Sequence, residues 1–78
     1  MKYLATFYTQ AAALLTNRAL LKADVISKAG PVPRELSSSC GTCVRYTADG
    51  PTLEHLDADV ESVYEVTEHG YREILHHE

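Results

Sequence analysis

A run of strong helix formers, residues 10–23, follows directly on a β-rich segment, residues 2–8, and this order restricts the folds open to the chain. The first segment alternates in the way typical of a strand. Thr9 is suited to cap the helix that follows, and Lys22 suits its C-terminus. Because 78 residues provide only a small core, we expect residues 1–78 to form a single domain.

The rest of the chain contains further strand-like segments. We predict strands over residues 25–28, 42–47 and 60–66, and a short helix over residues 51–56. The tail after Gly70 is compatible with a closing strand or a helix. This order predicts an α+β fold, a ferredoxin-like β-α-β-β-α-β sandwich with a short second helix. Such a sheet keeps one face uncovered, which favours a homodimer.

The charges are divided unevenly along the chain, although the net charge is only −4. Residues 1–46 hold six Lys/Arg and two acids, whereas residues 47–78 hold one arginine and nine acids. Either the acidic half covers the basic half, or a basic face meets an anionic partner. We do not expect nucleic-acid binding, because the cations are few and are not interleaved with aromatic residues.

The sequence predicts a cytoplasmic protein with no membrane segment. No apolar run approaches the roughly 20 residues that a membrane-spanning helix requires. The first residues lack the continuous apolar stretch and the cleavage site of a signal peptide. Two cysteines are too few for a disulfide framework, and a close pair in a reducing compartment is more often catalytic or metal-binding.

The chemistry is concentrated in one loop, PVPRELSSSCGTC, which spans residues 31–43 and places Cys40 and Cys43 three positions apart. A reactive cysteine works as the thiolate, and the flanking Arg34 and Arg45 favour that form. Three serines and Gly41 offer hydroxyl and backbone N–H donors for a sulfur anion or another small anion. We expect Cys40 to be the reactive thiol, and Cys43 to lie in a strand with its side chain opposite the core.

Several other chemistries fit a Cys-x-x-Cys pair. A thioredoxin-like redox site would place the pair at a helix N-terminus, whereas here a strand is predicted to follow. A zinc site needs four ligands, and the histidines that could complete it are irregularly spaced, so we predict no metal. Both cysteines could also be small buried residues without chemistry. The histidines in question are His55, His69, His76 and His77.

At this point the chain resembles the family of small bacterial selenium/sulfur carrier-like proteins. The resemblance depends on the Phe-Tyr-Thr end of the first strand before an Ala/Leu-rich helix, and on the segment VPRELSSSCG, residues 32–41. It covers residues 2–47 well. The short stretch over residues 49–59 departs from the longer second helix of that family.

The resemblance implies a carrier that holds sulfur or selenium on Cys40 as a persulfide or selenosulfide, rather than a turnover enzyme, and without a cofactor. Arg34, Ser38, Ser39 and Gly41 would surround the bound atom. From the residues alone, we expect Arg34 and Arg45 to favour the thiolate and the terminal anion. We also expect Cys43 to resolve the persulfide by attacking its inner sulfur, which releases the outer one as hydrosulfide. Donor and acceptor proteins are the implied partners. The alternatives are a thiol-redox protein and a non-enzymatic interaction module that uses the uncovered sheet face.

Overall fold

The central strand of the sheet is β1 (Lys2–Phe7), which pairs on one side with β3 (Thr42–Thr47) and on the other with β4 (Val60–Thr67). The computed structural model describes residues 1–77 and shows an α+β fold of one α-helix and one five-stranded antiparallel sheet. The α-helix is α1 (Gln10–Lys22), and the remaining strands are β2 (Ile26–Pro31) and β5 (Gly70–His76). The strand order is β2-β3-β1-β4-β5.

Helix α1 begins and ends where the sequence predicts, to within one residue. The Thr9 hydroxyl accepts a hydrogen bond from the Ala12 backbone N–H at 3.1 Å, which satisfies one of the free donors of the first turn. Lys22 occupies the last turn, where a positive charge favours the helix dipole. At 13 residues α1 cannot cross a membrane, and no other helix within residues 1–77 is long and apolar enough to do so.

One face of the sheet carries the hydrophobic core and is covered by α1. The Ser27 hydroxyl on β2 donates to the Asn17 side chain of α1 at 2.7 Å, which places the helix on this face. The rings of Tyr3 and Tyr46 stack here across neighbouring strands, with centroids 5.3 Å apart. The remaining buried core residues are Ala5, Phe7, Ala12, Ala13, Leu20, Val44, Val60 and Val63.

Two elements differ from the sequence prediction. The second helix is only a 3₁₀ turn, Leu53–His55, because Thr52 adopts a left-handed backbone with φ of 48° that interrupts a helix starting at Pro51. Strand β2 continues past residue 28 to Pro31. Proline, which has no backbone N–H, is tolerated there because β2 is an edge strand and has no neighbouring strand on its outer side to accept a hydrogen bond.

The tail, for which the sequence left two alternatives, is the edge strand β5. It adds a fifth strand to the predicted four. The α+β class is therefore confirmed, with one helix where two were predicted.

Candidate functional site

The loop between β2 and β3 is closed by backbone hydrogen bonds and by a glycine. The Val32 N–H donates to the Gly41 carbonyl at 3.2 Å, directly beyond the last strand pair, Pro31 with Thr42. The Leu36 N–H donates to the Pro33 carbonyl at 3.1 Å and makes a turn inside the loop. Gly41 has a φ of 74°, a conformation that side chains with a Cβ rarely adopt. The backbone conformation at position 41 therefore favours the glycine that follows Cys40.

Two of the predicted serines fasten this loop to the sheet. The Ser38 hydroxyl donates to the Phe7 carbonyl at the end of β1, at 3.2 Å. The Ser39 N–H donates to Glu61 Oε1 at 3.1 Å, and the Ser39 hydroxyl lies 3.5 Å from the other carboxylate oxygen. The loop is thus held across the ends of β1 and β4. The hydrogen-bond donors of Ser38 and Ser39 thus hold the loop in place.

Cys40 lies in the last part of this loop, directly before Gly41, and is a half-buried free thiol. Its Sγ lies 3.5 Å from the Thr42 carbonyl, and part of the side chain packs against the core. Cys40 is therefore partly accessible to solvent, as a cysteine that reacts with a partner protein needs to be.

Cys43 points to the sheet face opposite Val44 and Tyr46, as its position in β3 predicts, yet it is fully buried. Its thiol lies 3.4 Å from the Pro31 carbonyl. Burial raises the pKa of Cys43 above its ordinary value, the Arg45 charge partly lowers it, and the neighbouring Cys40 raises it further. The two thiols of the pair thus occupy different environments, one half-exposed and the other buried.

Arg45 follows Cys43 by two positions in β3, so the two side chains lie on the same face of the sheet. A Cβ placed on Gly30, the cross-strand partner of Cys43, would lie 3.8 Å from Nη1 of Arg45. The guanidinium therefore leans over Gly30 toward Cys43, which agrees with its effect on that thiol's pKa. Arg34, in contrast, is exposed at the loop's turn, and within residues 1–77 it forms no ion pair.

Of the predicted site residues, the structure brings Cys40, Gly41 and Cys43 to one end of the sheet, and Arg45 lies two residues further along β3. Ser38 and Ser39 are at the same end but bind Phe7 and Glu61. Their roles toward a bound sulfur or selenium atom stay a prediction. Among residues 1–77 no cluster of three or more His, Cys, Asp or Glu side chains is arranged to hold a metal ion.

Sequence reasoning missed a polar row that continues from Cys43 across the sheet. Thr6 on β1 lies opposite Cys43, and Ser62 on β4 lies opposite Thr6. The Ser62 hydroxyl is 2.7 Å from Nδ1 of His76 on β5. Thr6 and Ser62 are buried, and the Thr6 hydroxyl has no hydrogen-bond partner within residues 1–77. We call Cys43, Thr6, Ser62 and His76 the thiol row.

The other residues of the thiol row, and Glu61 beside Ser62, are more than 15 positions from Cys43 along the chain. Only the pairing of the strands brings the row together. The only sequence signal was the alternation of polar residues in β1 and β4, which indicates a second, polar sheet face. Glu61 brings a second acid to this loop, whose own sequence contains one acid, Glu35.

Comparisons with known proteins bear on this loop and the sheet that carries it. Neither the curated proteins nor the solved structures gave a match to the chain. Residues 2–65 match a family described as Putative Se/S carrier protein-like. The matched range contains β1, α1, the whole cysteine loop and most of β4. The chain therefore belongs to this Se/S carrier protein-like family.

Proposed function

We propose that the protein carries sulfur or selenium on Cys40, as a persulfide or selenosulfide, between a donor and an acceptor protein. Family membership supports a carrier role. The observation that supports Cys40 as the carrier is the contrast within the pair, because Cys40 is half-exposed whereas Cys43 is fully buried. A donor protein can approach Cys40 with little rearrangement, while Cys43 requires local opening of the fold.

Loading is a transfer of one chalcogen atom without net oxidation. The Cys40 thiolate attacks the outer sulfur of a donor persulfide, a new S–S bond forms on Cys40, and the donor leaves as its thiolate. A donor selenosulfide supplies selenium in the same way. In this proposal Arg34 and Arg45 stabilise the terminal anion, and Gly41 leaves its backbone N–H accessible beside it.

Unloading to an acceptor thiolate reverses this step. A second route uses Cys43, whose thiolate attacks the inner sulfur of Cys40, so that hydrosulfide leaves and a Cys40–Cys43 disulfide forms. The two electrons depart with the hydrosulfide, and an external thiol must reduce the disulfide. Because burial raises the pKa of Cys43, few of its thiols are ionised at neutral pH, and this route is slow while the loop is closed.

The decisive experiment loads each cysteine variant from a persulfide donor and measures the intact mass. Cys43→Ala is preferred to serine, because a serine hydroxyl would be buried at this position. We expect Cys43→Ala to gain a stable adduct of one sulfur, and Cys40→Ser to gain little. Equal loading of the two single variants would exclude Cys40 as the dedicated carrier.

The alternative of a non-enzymatic interaction module makes a different prediction, since both cysteines would then be replaceable without effect. Reconstituted transfer from donor to acceptor through Cys40→Ser distinguishes the two. A carrier loses transfer in this variant, whereas an interaction module retains it.

We also propose a cytoplasmic location, because a reducing compartment keeps two free thiols of this kind reduced. A homodimer is a further prediction, which light scattering after size-exclusion chromatography tests directly. Dimer formation that survives loss of both cysteines would separate assembly from the carrier chemistry.

A further inference from the structure

An open cavity of about 550 Å³ lies on the sheet face opposite α1. Its floor is a row that runs across all five strands, formed by Ile26, Thr47, Lys2, Val66 and Tyr71. This row lies at the end of the sheet away from the thiol row. A cavity of this volume is in the range of small-molecule sites.

The charges around the cavity are all of one sign. Its lining includes Lys2, Lys28 and Arg45, which are three of the chain's seven Lys/Arg residues. None of the ten acids within residues 1–77 lines it, although the protein as a whole has a net charge of −4. Within residues 1–77 the one ion pair joins Arg72 to Glu65, so the three cavity cations have no carboxylate partner there.

Apolar side chains form the rest of the wall. Ile26, on the edge strand β2, is 75% exposed. It is the most exposed large apolar residue in the five strands of the sheet. At the opposite edge, the ring of Tyr71 meets that of Tyr64 edge-to-face, with centroids 6.4 Å apart. This contact holds one wall in place before anything binds. Exposed apolar surface next to unpaired cations is complementary to a molecule that is apolar on one side and anionic on the other.

We propose that this cavity binds a small organic acid with an aromatic or branched apolar body. Lys2 and Lys28 hold the acid group, and Ile26, Val66 and Tyr71 cover the apolar body. The site is separate from the carrier loop. Arg45 is the residue that the two share, since it is part of the cavity lining while its guanidinium leans over Gly30 toward Cys43.

The test uses 2-naphthoate as the anionic probe and 2-naphthamide as a neutral probe of nearly the same shape. Each is titrated into the full chain, labelled with ¹⁵N, and the amide shifts are followed by NMR. We expect saturable shifts at Thr47, Val66 and Tyr71 with the carboxylate, and at least about tenfold weaker binding of the amide, as expected for loss of charge-assisted contacts. Equal affinity for the two probes overturns the proposal.

A pair of double variants locates the site. Lys2→Gln/Lys28→Gln removes two cavity cations that are not among the residues of the carrier site, and should weaken 2-naphthoate about tenfold. Arg18→Gln/Lys22→Gln makes the same change of charge on the exposed surface of α1 and should change affinity less than about twofold. An equal loss in both variants shows binding by net charge alone and overturns the proposal.

The second copy of the chain is the competing occupant of this face. If light scattering shows a dimer that 2-naphthoate does not dissociate, and Ile26→Lys dissociates it, the cavity is a subunit interface and the proposal is overturned. A monomer, or a dimer that the probe dissociates, supports the small acid.

Discussion

Thr6 and Cys43 lie directly opposite each other on β1 and β3, and both side chains are 0% exposed. The Thr6 hydroxyl has no hydrogen-bond partner within residues 1–77. A buried hydroxyl without a partner costs free energy of folding, on the order of 1–3 kcal/mol. The fold thus retains an unsatisfied polar atom next to the less accessible of its two thiols.

The first prediction compares the Thr6 hydroxyl with a buried hydroxyl that has a hydrogen-bond partner. Thr6→Val keeps the shape of the side chain and removes the orphan hydroxyl, so we expect the free energy of unfolding to stay equal or to rise by about 1 kcal/mol. Thr16→Val is the matched control, because the Thr16 hydroxyl is equally buried and accepts a hydrogen bond from the Asp57 N–H at 2.9 Å. That variant should lose about 1–2 kcal/mol.

Urea denaturation of both variants measures the difference. A loss in Thr6→Val as large as that in Thr16→Val would mean that the Thr6 hydroxyl has a partner in solution, such as a bound water or the Cys43 thiol. The orphan status of this hydroxyl would then be wrong.

Much of the fold follows from local sequence patterns. The Thr9 cap, the helix formers after it and the alternation in residues 42–47 predict α1 and β3 almost to the residue. The extension of β2 to Pro31 is less predictable, because it depends on whether that strand lies at an edge. The left-handed Thr52, which shortens the second helix to one turn, has no signal in residue type.

In the candidate site, too, some features can be predicted from the sequence and others depend on the fold. The loop cysteines and Gly41 are visible as a motif, and their local geometry can be argued from the residues themselves. The partners of Ser38 and Ser39 are not, because Phe7 and Glu61 reach the loop only through strand pairing. The burial of Cys43 also depends on tertiary packing, since alternation predicts the face of a side chain and not its accessibility.

The second prediction concerns the reactivity of the two thiols in the folded protein. Because Cys40 is half-exposed and Cys43 is buried, iodoacetamide should alkylate Cys40 in Cys43→Ala at least about tenfold faster than Cys43 in Cys40→Ser. Intact-mass measurements over time give both rates. In denaturant the two rates should converge, and a persistent difference there would assign the contrast to local sequence instead of burial.

The third prediction concerns Glu61 as the clamp of the cysteine loop. Glu61→Ala removes the acceptor of the Ser39 N–H, and a charge-assisted bond at an exposed position contributes on the order of 1 kcal/mol. Alkylation of Cys40 and hydrogen exchange at the Ser39 amide should therefore quicken about fivefold. Glu65→Ala on the same strand removes the same charge from the ion pair with Arg72 and should leave both rates unchanged. Equal acceleration in the two variants would contradict a specific clamp.

The last prediction uses Tyr46, which is buried and donates its phenol hydrogen to the Pro51 carbonyl. Burial raises the pKa of Tyr46 to about 12, from 10.0, with the nearby Tyr3 and Glu54 adding to the rise and a hydrogen bond with Thr52 opposing it. The folded state therefore keeps this proton at a pH where the unfolded chain releases it. The resulting stability is fully present below pH 10 and is lost as the pH rises toward 12.

A Tyr46→Phe variant isolates this effect, because all other ionisable groups are shared with the parent chain. We expect the parent to be about 1 kcal/mol more stable at pH 8, where the hydrogen bond contributes. Between pH 10 and 12 the parent should lose about 2–3 kcal/mol relative to Tyr46→Phe, so that the order of stability reverses. Urea denaturation at a series of pH values, with both cysteines replaced in each protein, measures this difference. A difference in stability that stays constant from pH 9 to 12 would show that the buried phenol titrates as it does in the unfolded chain.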